Sequence, residues 1–577
     1  MFKTIYKINF LLTSRQRKGV LILIFLLIIG MILEIFGLGI LMPILSNIID
    51  PNLSSSDSFL GTIKESYFVN FSNEKFTFIL LSFLLIIYFF KTIYLVFLTF
   101  VQNKYLSNLT TFISNKLYFI YLSQPFDFHK SKNSSDLVKN IQLEITHLHS
   151  YLSAFIIAVT EAFILISIVV TLIYIEPLGA ISIGCFFAGI SFIFFQFTKI
   201  KLEIWGSLRE KLDKEILKNS HSSFNGIKDI ILLNRQNYFI EKYSSNNFKK
   251  AKLQSNQSTF NQLPRFFLEF FSVLGLLGFI AFMLLRGEET SRLITLLGVF
   301  VAATFKMIPS LNRLISSAQY FKYFNSSLNL VYDELCNLKS AVLKTNKYDF
   351  EFKNKIVFKN ANYSYLNKHI LVDTNIEISK GSTIGIIGPS GSGKSTFVDI
   401  LVGLNALDSG KILVDNTDIQ ENLIGWKNCI GYVNQSVFLS DDTIRRNICF
   451  GLADSQIDDT RIESVLKQVQ LFDIVNKMEM GINSIVGERG IQLSGGQIQR
   501  IGLARALYSD PEVLILDEAT SSLDNETESN IMDSIYKLRG FKTIIIVAHR
   551  LSTLKMCDFI YEINNGNITL NDKLKKS

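Results

Sequence analysis

The chain has 577 residues, 48% of them hydrophobic and only 19% charged, with 49 Phe. That length predicts several domains, and the apolar excess excludes an ordinary soluble protein. The net charge of +8 fits the Lys/Arg bias of membrane-protein loops better than a nucleic-acid footprint, and five scattered cysteines without a C-x-x-C spacing imply neither a disulfide framework nor a zinc site.

The N-terminal tail carries Lys3, Lys7, Arg15, Arg17 and Lys18 ahead of an apolar run. The run is too long for a signal peptide and lacks a small-residue cleavage site, so it reads as a retained first span. Six stretches reach the roughly 20 residues that a bilayer crossing needs: Gly19–Leu41, Phe76–Val101, Ala154–Ile175, Leu178–Phe197, Phe266–Leu285 and Leu293–Ile315. Only Glu176-Pro177 separates the third from the fourth, and Arg286–Arg292 the fifth from the sixth. Lys199–Lys252 holds twelve Lys/Arg against six acids, whereas Ser46–Lys75 holds only Lys64 and Lys75. Basic bias therefore places the N-terminus and the segments 102–150 and 198–259 in the cytosol, with the chain in the plasma (inner) membrane. After six crossings the C-terminal domain is cytosolic too. Both cytosolic segments keep helical periodicity and read as extensions of the spans. Their turns, Gln124–Ser135 and Ser220–Gly226, are either loops or short transverse helices. The outer segment Ser46–Lys75 is a loop or an interfacial helix.

Four basic residues interrupt the spans: Lys91, Arg265, Lys306 and Arg313. At 1.5 Å per residue, Lys91 lies ~22 Å, Lys306 ~20 Å and Arg313 ~30 Å below the outer ends of their spans. Arg265 starts the fifth span at its inner end. Lys306, Pro309 and Arg313 share one helix face. Charge inside a membrane is costly and usually faces a cavity, so the set is a candidate site for an anionic headgroup, phosphate or pyrophosphate. The alternatives are snorkelling to the inner interface and, for Arg265, pairing with Glu269 four residues on. Glu34 and Glu161 read as packing or salt-bridge residues.

The polar stretch 326–350 reads as a linker. It divides a helical membrane domain, 1–325, from an α/β domain, 351–577. In the latter, Gly388–Thr396 fits the P-loop pattern G-x-x-x-x-G-K-[S/T]. The strand-like Ile384–Ile387 precedes it and the helix-like Phe397–Val402 follows. Gly388, Pro389, Ser390, Gly391, Ser392, Gly393, Lys394, Ser395 and Thr396 thus form an ATP-phosphate cradle. Glycines let backbone N–H groups turn inward, and the helix N-terminus adds a favourable dipole. Lys394 reaches the β/γ-phosphates and the Ser395 hydroxyl meets Mg²⁺.

Further along come Ile430–Gln435, Leu493-Ser494-Gly495-Gly496-Gln497, Val513–Glu518, Ser522-Leu523-Asp524 and Ile544–His549. This ordered series resembles the ATP-binding cassette family over about 220 residues, a length set by the motif span. The resemblance implies that Tyr365 stacks on adenine and that Gln435 contacts Mg²⁺ or water. It implies that Asp517 holds Mg²⁺ through water and that His549 orients the attacking water. Glu518 is then the general base. Ser494, Gly495, Gly496 and Gln497 match the signature that covers the ATP of an opposite subunit. One cassette with six spans therefore implies a dimer, by economy a homodimer. Val486–Gly490 resembles a loop found in exporters, and Ser522 stands where the family usually has Ala.

Six spans ahead of one cassette is the exporter arrangement. The start of the chain shows no peptidase domain, which argues against a leader-cleaving peptide exporter. The stretches Gln262–Glu269 and Lys306–Arg313 resemble the bacterial flippases for lipid-linked oligosaccharides of protein N-glycosylation. That resemblance implies translocation of a polyprenyl-pyrophosphate glycan from inner to outer leaflet, with membrane lipid around it and no nucleic acid. Lys91 and Lys306 stand where those relatives tend to carry Arg, a point charge in place of a bidentate fork. The alternatives are a multidrug or lipid A-type exporter and a peptide or bacteriocin exporter. A soluble ATPase of DNA repair or translation would share the cassette but not the spans.

Overall fold

The computed structural model describes residues 2–40, 44, 73–285, 290–338, 350–365, 368–520, 523–548, 550–564 and 566–571. Most of the outer segment 46–75 therefore lies outside the described residues. The chain divides into two units, residues 1–124 with 129–341 and residues 125–128 with 342–577.

The helices of the first half are α1 (Phe2–Leu11), α2 (Ser14–Gly39), α3 (Asn73–Leu122), α4 (Phe126–Ser131), α5 (Ser134–Lys139), α6 (Ile145–Ile175), α7 (Pro177–Asn225), α8 (Ile227–Leu232), α9 (Gln236–Leu285), α10 (Thr290–Tyr323) and α11 (Asn325–Asn337). A reciprocal Thr13–Gln16 capping box starts α2, satisfying two backbone donors at once. Pro177 opens α7, where its missing N–H costs nothing. At 1.5 Å per residue the 50 residues of α3 and of α9 extend ~75 Å, against ~30 Å of bilayer hydrocarbon. Each expected span is thus one part of a longer helix. By length and composition five described helical runs can cross a membrane: those within Ser14–Gly39, Lys75–Leu122, Ser134–Ile175, Pro177–Asn225 and Gln236–Leu285. The sixth expected span lies in α10, a single 34-residue helix.

The first expected turn contains α4 and the start of α5, whereas in the second Ser220–Asn225 still belongs to α7 and the short helix α8 begins directly after Gly226. The expected linker 326–350 begins differently. Its first part is α11, which buries Leu328, Val331 and Leu335 on one face. Polar residues between these positions disguise a stripe of only three apolar side chains.

Buried charge ties the helices beyond their apolar parts. Glu144, fully buried in a π turn at Asn140–Glu144, accepts from the Ser327 hydroxyl at 2.6 Å. Arg209 lies 3.8 Å from both Glu144 and Asp213 and donates to Ser327 at 2.9 Å. Its guanidinium also covers the Phe324 ring at 4.9 Å. Lys250 meets Asp213 at 2.6 Å. Residues of α6, α7, α9, α10 and α11 border this one network. Buried ions cost several kcal/mol each unless paired in this way.

Prolines sit inside two helices, Pro264 in α9 and Pro309 in α10. Pro264 cannot donate to the Phe260 carbonyl one turn earlier. The amide of the fully buried Gln319, from α10, donates to that carbonyl at 3.2 Å.

The second unit holds two sheets. One is antiparallel, with order β2-β1-β4-β5: β1 (Lys355–Tyr365), β2 (Lys368–Ser379), β4 (Ser409–Val414) and β5 (Thr417–Asp418). The other has order β10-β9-β3-β8-β7-β6: β3 (Thr383–Ile387), β6 (Ile430–Val433), β7 (Val513–Asp517), β8 (Thr543–Val547), β9 (Phe559–Asn564) and β10 (Asn567–Leu570). Its strands from β9 to β6 are parallel, and β10 is antiparallel. Every residue of β7 and β8 is buried, which explains their unbroken apolar text. Each buried Val, Leu or Ile contributes about 1.5–3 kcal/mol, so the strand ends that carry chemistry stand on a rigid base. Parallel pairing brings the C-terminal ends of β3, β8, β7 and β6 to one edge.

Replacing Gln319 by Leu is expected to lower stability by about 1–3 kcal/mol, because the Phe260 carbonyl loses its donor. Thermal unfolding of the purified protein in detergent measures it, and an unchanged midpoint would refute the assignment.

Candidate functional site

The P-loop leaves β3 and enters α12 (Lys394–Leu401). Gly391 and Gly393 have φ of 76° and 105°, the left-handed region. A Cβ at Gly393 would stand 2.5 Å from the Ile370 side chain, so only glycine fits there. Phe397, Val398, Ile400 and Leu401 bury the far side of α12 and hold its N-terminus at the loop. Lys394 is buried and donates to the carbonyls of Gly388 and Pro389 at 2.8 and 3.0 Å. Its ammonium thus lies within the turn it serves.

Asp517 ends β7 and Glu518 follows it with φ of 50°, an uncommon conformation for a side-chain-bearing residue. The Glu518 N–H donates to the Val547 carbonyl at 3.0 Å, and Gln435 donates to the Glu518 carboxylate at 2.8 Å. Two residues from separate strand ends, both expected from sequence, therefore meet. Asp517 is buried, and its Oδ1 has no hydrogen-bond partner. Burial and the adjacent Glu518 charge push its carboxyl up, while a bond from Ser395 opposes this. A buried, unsatisfied carboxylate oxygen beside a hydroxyl suits a hard divalent cation, so the Ser395–Asp517 pair fits Mg²⁺. His549 lies outside the described residues.

Tyr365, at the end of β1, is 46% exposed, which leaves its ring open for stacking. Nearby Lys368 donates to the Gly391 carbonyl at 2.9 Å, a tether that the sequence did not announce. Ser494 caps α13 (Gly495–Tyr508) through a capping box with Gln497, and Ser494 and Gly495 are exposed. Behind Glu518, a cavity of about 70 Å³ is lined in part by Thr520, Glu528 and Arg550. There Arg550 and Thr520 donate to Glu528 at 2.6 and 2.9 Å. Glu528 carried no motif signal because it sits inside an amphipathic helix, α14 (Asn525–Tyr536).

The four basic residues of the membrane half do not form one cluster. Lys91 and Lys306 converge on Glu34; the Lys306 contact is 2.5 Å, and Lys91 also bonds it. Both ammonium groups lie about a ring's reach from Tyr88, at 5.0 and 5.1 Å. Arg313 instead meets Glu161 at 2.8 Å. Arg265 pairs with Glu269 on its own helix at 2.8 Å, with both side chains largely exposed. Glu34 was legible as an intramembrane acid, but its role as a shared counter-ion was not. A cavity of about 640 Å³, bordered by α3, α6 and α10, contains Arg313, Glu161, Gln102 and Asn312.

With this geometry in place, comparisons locate the cassette. Residues 371–521 match the ABC transporter family model. The chain is similar to the ATP-dependent lipid A-core flippase of Wigglesworthia glossinidia brevipalpis, with 42% identity over 220 residues, 37% of this chain and 38% of that protein. It is 38% identical over 227 residues to the ATP-dependent lipid A-core flippase of Escherichia coli strain K12, covering 38% of this chain and 39% of the relative. An uncharacterized ABC transporter ATP-binding protein of Bacillus subtilis strain 168 is 39% identical over 218 residues, covering 37% of this chain and 38% of the relative. The chain thus spans 38–39% of the length of these curated relatives. A solved bacterial Atm1-family ABC exporter with ATP bound has the same fold, with TM-score 0.76 and 20% identity over 96% of this chain and 94% of that one. The fold class is therefore that of an exporter: a helical transmembrane domain and an α/β P-loop cassette.

Gly393→Ala is expected to weaken nucleotide binding to the cassette at least tenfold, about 1.4 kcal/mol, since both its φ and its contact with Ile370 forbid a Cβ. Titration with a fluorescent ATP analogue reads this directly, and wild-type affinity would refute it.

Proposed function

We propose that the chain couples ATP hydrolysis to export of a phosphorylated glycolipid, moving it from the inner to the outer leaflet as a pair of identical chains. A lipid A-type substrate is the leading reading. The observation that carries it is the convergence of Lys91 and Lys306 on the single carboxylate of Glu34. Two cations against one anion leave an excess positive charge among apolar helices, which is costly unless an anion visits. The names of the two lipid A-core flippases agree with such a cargo. A polyprenyl-pyrophosphate oligosaccharide is the second reading, favoured by the stretches Gln262–Glu269 and Lys306–Arg313 and their likeness to that class of flippase.

In the cassette, the P-loop N–H groups and Lys394 bind the phosphates and Tyr365 stacks on the base. Ser395 and Asp517 would hold Mg²⁺, which supplies charge neutralisation on the phosphates. Glu518 accepts the proton of the attacking water, and Gln435 orients its carboxylate through their hydrogen bond. His549, two residues beyond β8 in the sequence, is the candidate for the second orienting group. The exposed N-terminus of α13 suits the role of covering a partner's nucleotide, with Ser494, Gly495, Gly496 and Gln497 facing it. A site completed by two chains makes closure depend on ATP, and the membrane helices then switch between inward and outward states. The Lys/Arg bias supports a cytosolic N-terminus and cassette.

Reconstitution in liposomes with labelled lipid A, or with labelled polyprenyl-pyrophosphate oligosaccharide, tests the cargo. Glu518→Gln is expected to retain ATP binding while turnover falls about 10²-fold or more; normal turnover would remove Glu518 from the base role. Lys91→Met/Lys306→Met/Glu34→Gln removes the whole cluster without stranding a buried charge. It is expected to cut flipping of either lipid at least tenfold, and wild-type flipping by this variant would overturn the headgroup site.

A further inference from the structure

Glu528 is the fourth residue of α14, on the face that also buries Ile531, Met532 and Ile535. It is only 6% exposed. A carboxylate on such an apolar face is costly unless it is paired and hydrogen-bonded, and both of its oxygens are met. Oε1 accepts from the Thr520 hydroxyl at 2.9 Å and Oε2 from the Arg550 guanidinium at 2.6 Å. These two donors come from different strand ends. Thr520 follows β7 and lies two residues after Glu518, whereas Arg550 follows β8 and is the neighbour of His549 in sequence. The far end of α14 meets the same segment after β8. There the Tyr536 hydroxyl donates to the Thr553 carbonyl, and the Thr553 hydroxyl donates to the Arg550 carbonyl at 2.6 Å. Glu518, Thr520, Glu528 and Arg550 all border the cavity of about 70 Å³.

If stability were the whole purpose, apolar residues would serve as well, since replacing a buried ion pair by packed hydrophobic groups is often neutral or stabilising. The pair adds a fixed distance between two loops. Glu518 needs such fixing. Its φ of 50° is a conformation that a side-chain-bearing residue keeps only when its surroundings over-determine it. On one side the Glu518 N–H donates to the Val547 carbonyl at 3.0 Å. On the other, two residues on, stands Thr520, anchored by Glu528. We propose that Glu528 is a positioning residue of ATP hydrolysis. Through Thr520 and Arg550 it ties the loop of Glu518 to the loop of His549, and so fixes the direction of the Glu518 carboxylate toward the attacking water. Glu528 acts through Glu518 and not on the nucleotide. This inference rests on the assignment of Glu518 as general base above.

The test measures steady-state ATPase activity of the full-length protein in nanodiscs. Glu528→Gln keeps an acceptor for Thr520 and removes the charge that holds Arg550. Its kcat is expected to fall about tenfold, as misplacement remote from the reacting atoms does, with KM for ATP within about twofold of wild type. Thr520→Val is expected to lower kcat by about 3- to 10-fold. Thr520→Ser, which restores the hydroxyl, is expected to return kcat to within about twofold of wild type. These two variants remove no charge, so they remain decisive if Glu528→Gln folds poorly. Added to Glu518→Gln, the change Glu528→Gln is expected to cost less than about twofold more, because both act through one group. Wild-type kcat in a folded Glu528→Gln or in Thr520→Val, beside a slow Glu518→Gln, would overturn this inference and leave the base reading standing. A KM that rises as far as kcat falls, or a Thr520→Ser as slow as Thr520→Val, would also overturn it. So would full additivity with Glu518→Gln. Normal turnover by Glu518→Gln would overturn the base reading and this inference together.

Discussion

A charge placed inside a bundle of apolar helices has to be met by an opposite charge, and this requirement shapes the membrane half. Glu34 draws Lys91 from α3 and Lys306 from α10 onto α2. Glu161 draws Arg313 from α10 onto α6. Helices that share little beyond hydrophobic surface acquire fixed pairings by these contacts. Lipid tails are as apolar as leucine, so apolar packing alone specifies register weakly in a membrane. The same logic holds beyond the apolar stretches, where Glu144, Arg209 and Asp213 lock residues of several helices together.

Pairing also separates the basic residues by environment. One carboxylate against two lysines leaves an excess of charge, the basis of the anion site proposed above. One carboxylate against one arginine leaves none. Arg265, paired along its own helix and exposed, stands apart from both.

The cassette obeys a different constraint. Its chemistry lies at strand ends, and parallel pairing of fully buried strands sets where those ends fall. Gln435 and Glu518 meet because β6 and β7 are neighbours. The P-loop faces them because β3 and β7 flank β8. A crevice beyond the carboxyl ends of a parallel sheet is the usual ligand site of such folds, and the rigidity of the apolar core beneath keeps it in register.

Much of this was legible in the amino-acid order. P-loop, signature and strand-end acids lie in short contiguous runs, and their backbone demands are local, as with glycine at 391 and 393. The spans are legible because a bilayer requires about 20 apolar residues in a row. The helix α11 was missed because a stripe of three buried side chains is too sparse to stand out from polar neighbours. Partnership of charges was not legible for a different reason. Glu34 and Lys306 are 272 residues apart, and nothing local says which of four cations meets which acid. Sequence by itself thus determined the P-loop and the apolar lengths that suffice to cross a membrane, since both follow from near-neighbour chemistry. Only the tertiary structure decided that Lys91 and Lys306 share one carboxylate while Arg313 takes another, because that depends on which helix faces pack together.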